Sequence, residues 1–166
     1  MKKLVILTTI IALFLCSCAK NTTTELTAEQ KTTIISEVQH QMDGKLSAAV
    51  QLDFDAYSEY FSKDGFISAN SGSNYFATRS AWIDSVAYWY SLKESRATVP
   101  IESRVTVLTP NLVLGTRVHY TENLFKTGEL RKTNAVITEI WKKEQSGWKI
   151  IHFHESGQPI EETSSN

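Results

Sequence analysis

Few residues in this 166-residue chain are equipped to do chemistry. It carries four histidines, His40, His119, His152 and His154, and two cysteines, Cys16 and Cys18. Both cysteines fall within residues 1–18, so the remainder has no thiol nucleophile, internal disulfide or zinc–thiolate site. His152 and His154 form a His-x-His pair on one strand face, a spacing that some metal sites use. No third ligand is evident, so their expected role is structural, and neither a metal nor another cofactor is expected. Strand alternation places Arg117, His119 and Thr121 on one face, and Ala135, Ile137, Glu139 and Trp141 on one face of the next strand. In the last strand Ile151, Phe153 and Glu155 share a face, with Ile150, His152 and His154 on the other. His119, Glu139 and Glu155 are thereby candidates to share a pocket, with Tyr57, Trp82 and Trp89 as aromatic walls. Two carboxylates near an imidazole suit general acid–base work, because crowding and burial raise carboxyl pKa values. The same set would also hold a cationic or polyhydroxylated ligand against aromatic faces. The bland alternative leaves Glu139 and Glu155 at a mouth, solvated or paired with Arg117 and Arg131. No Ser-His-Asp order, glycine-rich phosphate loop or metal motif is found by spacing.

The elements that would position these side chains run helices first and strands last. Thr27-Ala28-Glu29-Gln30 is a capping box opening a helix with Ile34, Ile35, Val38 and Met42 on its apolar stripe. Asp43-Gly44 is expected to end or kink it. Asp53 can cap a short helix with Phe54, Tyr57 and Phe61 on one stripe, stopped by Lys63-Asp64-Gly65. Phe66 to Ala69 reads as a brief strand, followed by a polar loop over 70–74. A third helix is predicted from about Thr78 to Lys93, burying Trp82, Ile83, Val86 and Tyr90, with Trp89 beside them. From Val99 the period changes from 3.6 to 2, with strands predicted over 99–108, 112–125, 133–144 and 147–155. Turn signals at Thr109-Pro110-Asn111, Lys126-Thr127-Gly128-Glu129 and Gln145-Ser146-Gly147 join them as an antiparallel meander. The expected class is α+β: a strongly bent antiparallel sheet packed on N-terminal helices.

Composition fits one domain. Hydrophobic residues are 42% and charged residues 21%, which excludes wholesale disorder. Residues 1–17 read as a lipoprotein signal: Met-Lys-Lys, an apolar run from Leu4 to Leu15, then Cys16-Ser17-Cys18. The run is short for a bilayer span, and Leu15-Cys16-Ser17 before Cys18 is similar to a bacterial lipobox. Acylated Cys18 would anchor the protein without a transmembrane helix. Ala19 after it favours the outer membrane, facing the periplasm. Residues 18–25 are then a polar tether, 26–160 the domain and 161–166 a flexible tail. Without Lys2 and Lys3 the charge falls from −1 to −3, with 15 basic against 18 acidic residues. Such a balance, with no basic tract, gives nucleic acid no foothold.

One resemblance is specific. The ending Gly147-Trp148-Lys149-Ile150-Ile151-His152-Phe153-His154-Glu155-Ser156-Gly157-Gln158-Pro159 resembles the last strand of the association (hub) domain of calcium/calmodulin-dependent protein kinase II. Arg131 and Trp141 likewise fit that domain's penultimate strand. The resemblance spans roughly residues 27–160 and implies the nuclear transport factor 2-like superfamily, relatives of the SnoaL-like polyketide cyclases. It implies a cone, a bent sheet closing over helices with a pocket at the wide end. Kinase signatures are missing, so kinase function does not carry over. Three pocket arginines of the hub domain correspond to His119, Glu139 and Glu155 here. Two cations have become carboxylates, which argues against an anionic ligand of the hub type.

The first functional expectation is therefore a membrane-tethered envelope lipoprotein whose domain binds a small ligand or self-assembles, as a dimer or larger. The alternative is a SnoaL-like, cofactor-free acid–base enzyme (isomerase, cyclase or hydrolase) using His119 and Glu139. What separates them is whether a carboxylate and His119 meet across a deep, closed pocket.

Overall fold

A computed structural model describes residues 25–160. Residues 1–24, where the signal segment, Cys18 and most of the tether are expected, and residues 161–166, the expected tail, lie outside the described residues. Helix α1 (Ala28–Val50) starts at the capping box: the Thr27 hydroxyl accepts from the Gln30 amide at 3.2 Å, and the Gln30 side chain accepts from the Thr27 amide at 2.9 Å. It buries Ile34, Val38, Met42, Lys45, Ala48 and Ala49, whereas Ile35, expected on the stripe, is exposed. The helix does not end at Asp43-Gly44. A mid-helix glycine costs about 1 kcal/mol, and burial of the turn after it outweighs that. The missing Cβ lets the Tyr60 hydroxyl lie directly against the helix. Asp53 caps α2 (Phe54–Ser58), accepting from the Ala56 amide at 3.0 Å. Thr78 caps α3 (Arg79–Ser91), which buries the predicted stripe of Trp82, Ile83, Val86 and Tyr90.

Six strands form one mixed, open sheet in the order β2-β1-β6-β5-β4-β3: β1 (Ser68–Ser71), β2 (Asn74–Phe76), β3 (Lys93–Thr109), β4 (Leu112–Phe125), β5 (Leu130–Glu144) and β6 (Gly147–Pro159). The four-strand meander is antiparallel as expected. Two features depart from the sequence pattern. The polar stretch 70–74 is part of a β1–β2 hairpin turned at Gly72, whose φ of +56° suits glycine. Strand β1 also pairs parallel to β6, because the chain leaving α2 docks along β6's free edge: Ser62 donates to the Ile150 carbonyl at 2.9 Å and Ile67 to that of Ile151 at 2.7 Å. Strand β3 starts at Lys93 rather than Val99. Its polar first residues carry no apolar alternation, yet β4 pairs with them as far as Phe125. A bulge between Ile140 and Trp141 puts Ile150 opposite Trp141. Ile150 is consequently a fully buried core residue, not a member of the outer face with His152. Trp141, Phe61, Phe153, Met42 and Val38 complete the centre of the core between sheet and helices.

Candidate active site

Register decides what meets. Across β4, β5 and β6 the inward rows are Gly115–Glu139–Phe153, Arg117–Ile137–Glu155 and His119–Ala135–Gly157. His119, Glu139 and Glu155 therefore occupy neighbouring rows of one concave face. Small residues flank the polar ones. Gly115 lies so close to Met42 of α1 that a Cβ there would stand 3.0 Å from its sulfur.

At the deep end, Glu139 is 1% exposed and both its oxygens are engaged. One is paired with Lys45 Nζ, and the other accepts from Trp141 Nε1 at 3.0 Å. The Lys45 ammonium also stands 4.8 Å above the Phe153 ring. Glu139 thus gains two donors and a full counter-charge, and it is neither solvated nor paired with an arginine. Arg117 is fixed separately, donating to Asp43 Oδ1 at 2.5 Å, the Met42 carbonyl at 3.1 Å and Ser103 Oγ at 2.9 Å. Arg131 pairs with Glu129 in solvent. The expected cationic or polyhydroxylated ligand rests on two carboxylates in the pocket. Lys45 neutralises one of them, Glu139, and Glu155 remains on the wall of both chambers.

Above this floor two chambers open. The inner one, about 40 Å³, is lined by Met42, Leu46, Ala49 and Ile137 among others. The outer one is about 320 Å³ and is walled by Phe76, Trp82, Val86, Trp89 and Tyr90. Tyr57, Arg96, His119 and Glu155 line both. The structure brings Tyr57, Trp82, Trp89, His119 and Glu155 around the outer chamber, and Glu139 to the inner one.

His119 is 1% exposed, and among the described residues neither ring nitrogen has a hydrogen-bond partner. Its Nε2 lies 4.0 Å from Glu155 Oε1. Burial pushes its pKa down to about 4, against an opposing pull from the Glu155 charge. The ring is neutral at physiological pH. Burial also raises Tyr57 and Tyr90 well above the ordinary phenol value, so both present intact O–H donors. Lys93 at the rim is lowered to about 8, by desolvation first and by the nearby Arg96 second.

Sequence reasoning did not include Lys45, Lys93, Arg96, Tyr90 or Asn123 in the site. Lys45 carried a signal, since it falls on the buried helical stripe with Val38, Met42 and Ala49. Lys93 and Arg96 carried none, because the polar start of β3 looks like a loop.

An imidazole with no hydrogen-bond partner among the described residues thus stands beside a carboxylate at the wall of two chambers under an open sheet, and comparison with known proteins agrees with the fold around it. The family model described as a SnoaL-like domain matches residues 38–161. The chain belongs to the SnoaL-like domain family. Solved structures of the nuclear transport factor 2-like type superpose on this SnoaL-like chain. A proposed dehydratase of that family from Streptomyces avermitilis is 18% identical with a TM-score of 0.68, covering 78% of this chain and 98% of its own. A proposed scytalone dehydratase from Novosphingobium aromaticivorans is 9% identical with a TM-score of 0.71, covering 84% and 96%. A proposed calcium/calmodulin-dependent protein kinase II association domain from Xanthomonas campestris is 18% identical with a TM-score of 0.63, covering 75% and 88%. At these identities the likeness establishes the cone fold and no activity. A search of curated proteins returns no match to this sequence.

Proposed function

We propose that this SnoaL-like domain is a cofactor-free acid–base enzyme acting on a small molecule, with His119 as its base. The observation that carries the reading is the buried imidazole of His119, whose two nitrogens have no partner among the described residues at the wall of the chambers. A histidine kept only for structure has its N–H satisfied. The tautomer with its proton on Nε2, toward Glu155, leaves the Nδ1 lone pair to accept a proton. Glu155 then stabilises the imidazolium as it forms, the 4.0 Å gap closing to a charge-assisted hydrogen bond with substrate in place. In the simplest cycle His119 takes a proton from a carbon next to a carbonyl. The electron pair moves onto that oxygen, where the Tyr57 hydroxyl donates a hydrogen bond. The imidazolium returns the proton to another carbon, which is isomerisation, or to a departing hydroxyl, which leaves as water. Proteins of like fold include proposed dehydratases, whose chemistry would be of this kind, and a proposed association domain, so their names leave both the enzyme and the binding reading in play. The test is incubation with hydroxylated and carbonyl-bearing metabolites in deuterated water, reading carbon-bound deuterium by NMR. Exchange that His119→Asn abolishes supports the proposal; saturable binding without exchange replaces it with the ligand-binding reading.

The enzyme is proposed to work at a membrane, held by lipid on Cys18 at the outer membrane's periplasmic face. Support is the sequence Leu15-Cys16-Ser17-Cys18 after the apolar run. Mass spectrometry of detergent-extracted protein should find a lipidated N-terminus at Cys18. Cleavage and membrane retention persisting in Cys18→Ala would remove the idea.

Self-association through the outer sheet face is proposed on a separate ground. Val99 (57% exposed) and Val136 (41%) stand on the face opposite the site, with Val118 paired to Val136. A sheet apolar on both faces needs a second cover. Light scattering of the tether-deleted protein should give a dimer or larger at about 10–50 µM, where modest interfaces populate; a monomer there refutes it.

A further inference from the structure

Polar groups around the outer chamber are unequal in kind. Five buried side-chain atoms lack a partner among the described residues: Trp82 Nε1, Tyr90 OH, both nitrogens of His119, and Asn123 Oδ1. All four residues line this chamber. Trp82 and Tyr90 are more than nine-tenths buried and supply N–H and O–H donors. Two cations, Lys93 and Arg96, stand on the same wall, and among the described residues neither has an ion-pair partner. Lys93 Nζ lies 5.4 Å over the Tyr90 ring, and Arg96 spends its Nε on Thr98 Oγ1 at 3.2 Å, leaving its terminal nitrogens. Glu155 is the one acid lining the chamber. The wall thus carries surplus positive charge and surplus donors, set against aromatic surface.

We propose that the outer chamber binds a small organic acid, its carboxylate held by Arg96 and Lys93 and its apolar body lying against Trp82, Phe76 and Trp89. The inference rests on the proposed function and names the substrate class for the same site. A fork of guanidinium N–H groups matches a carboxylate, and the nearby lysine adds a second positive charge on the wall that His119 and Tyr57 also line. The volume, about 320 Å³, sits at the small end of ligand pockets. An anion also relieves the repulsion that Arg96 imposes on Lys93.

The test uses three probes of one shape: 1-naphthoate, its uncharged amide 1-naphthamide, and the cation 1-naphthylmethylamine. Calorimetric titration of the folded protein should find the carboxylate at least about tenfold tighter than the amide, with the amine weakest. Arg96→Gln and Lys93→Met should each bring carboxylate and amide to within about threefold of one another. Unmodified protein offers a second reading that needs no variant. The groups facing Lys93 are Tyr90 from α3, Arg96 from its own strand and Glu155 from β6. Carboxylate affinity should be fully present below about pH 8 and fall as pH rises through it, while amide affinity stays flat. Equal binding of acid and amide, tighter binding of the amine, or no binding of the acid up to about 1 mM overturns the proposal. These are equilibrium measurements, so they stand or fall separately from deuterium exchange. An acid that binds but is never exchanged leaves the site assigned and removes only the enzyme reading.

Discussion

Lys45→Met should destabilise the domain by about 3–5 kcal/mol, lowering its melting temperature by roughly 10–20 °C. The reason is positional rather than a matter of counting salt bridges. Lys45 comes from the helical layer and Glu139 from the middle of the sheet, both nearly inaccessible to water. Methionine keeps the aliphatic stem that packs beside Phe153 but deletes the charge. Glu139 is then left with Trp141 Nε1 as its remaining donor, at 3.0 Å, in a site with almost no solvent. An uncompensated buried carboxylate is far more costly than the pair was valuable, so the loss reports desolvation. The double variant Lys45→Met with Glu139→Gln separates the two. A neutral amide can still accept from Trp141, so it should recover at least half of the loss in urea unfolding. A single variant that loses less than about 1 kcal/mol would mean that water reaches the pair, as at an exposed ion pair. The floor of the chambers would then be wet, not closed.

That ion pair also marks how far the sequence could be read. Alternation along β4, β5 and β6 put His119, Glu139 and Glu155 on inward faces, because a two-residue period survives wherever one face is buried. It gave no account of depth. Glu139 and Glu155 look equivalent in the sequence, yet one is sealed by Lys45 and the other is 30% exposed and stands 4.0 Å from His119. Depth depends on what the helix places overhead, and Lys45 lies 94 residues from its partner. The bulge after Ile140 is a second case. A continuous alternation assigned Ile150 outward, and one extra residue in β6 turned it into the core. Third is the polar opening of β3. Lys93 and Arg96 form strand because β4 holds their backbone, and no side-chain pattern announces a strand fixed from one edge only. The helices were legible for a local reason: Thr27, Asp53 and Thr78 each cap with their own side chains.

The same distinction bears on ligand charge. Substituting carboxylates for the hub domain's arginines suggested a preference for cations. That inference weighs charges at three positions and ignores whatever neutralises or surrounds them. In the folded chain one of those carboxylates is cancelled by Lys45, and two further cations arrive from β3. Pocket polarity is a property of the whole wall, so it inverts when residues that sequence comparison did not align are included.

His119→Leu should move activity and stability in opposite directions. Removing a general base costs about 10²–10⁴-fold in rate, so proton exchange at carbon should fall by at least 100-fold. Stability should not fall with it. Leucine removes two ring nitrogens that have no partner among the described residues, and removing an unsatisfied buried polar group is worth up to about 1 kcal/mol. Retaining such a group despite its cost is expected of a residue that works, and filling the site with an apolar one is a familiar stability–activity trade. The pH dependence carries the same signature. His119 titrates near 6.5 when unfolded and about 4 when folded, so the unfolded chain takes up its proton first as pH falls. Stability is fully present above about 6.5, declines as pH drops, and the loss is complete below about 4. It amounts to at most about 3 kcal/mol. In His119→Leu that decline should be absent, leaving only the slower titration of carboxylates. Urea unfolding at pH 7.5, 5.5 and 4.5 for both proteins measures it. Should the leucine variant lose more than about 1 kcal/mol at pH 7.5, His119 holds the fold together and the base assignment fails.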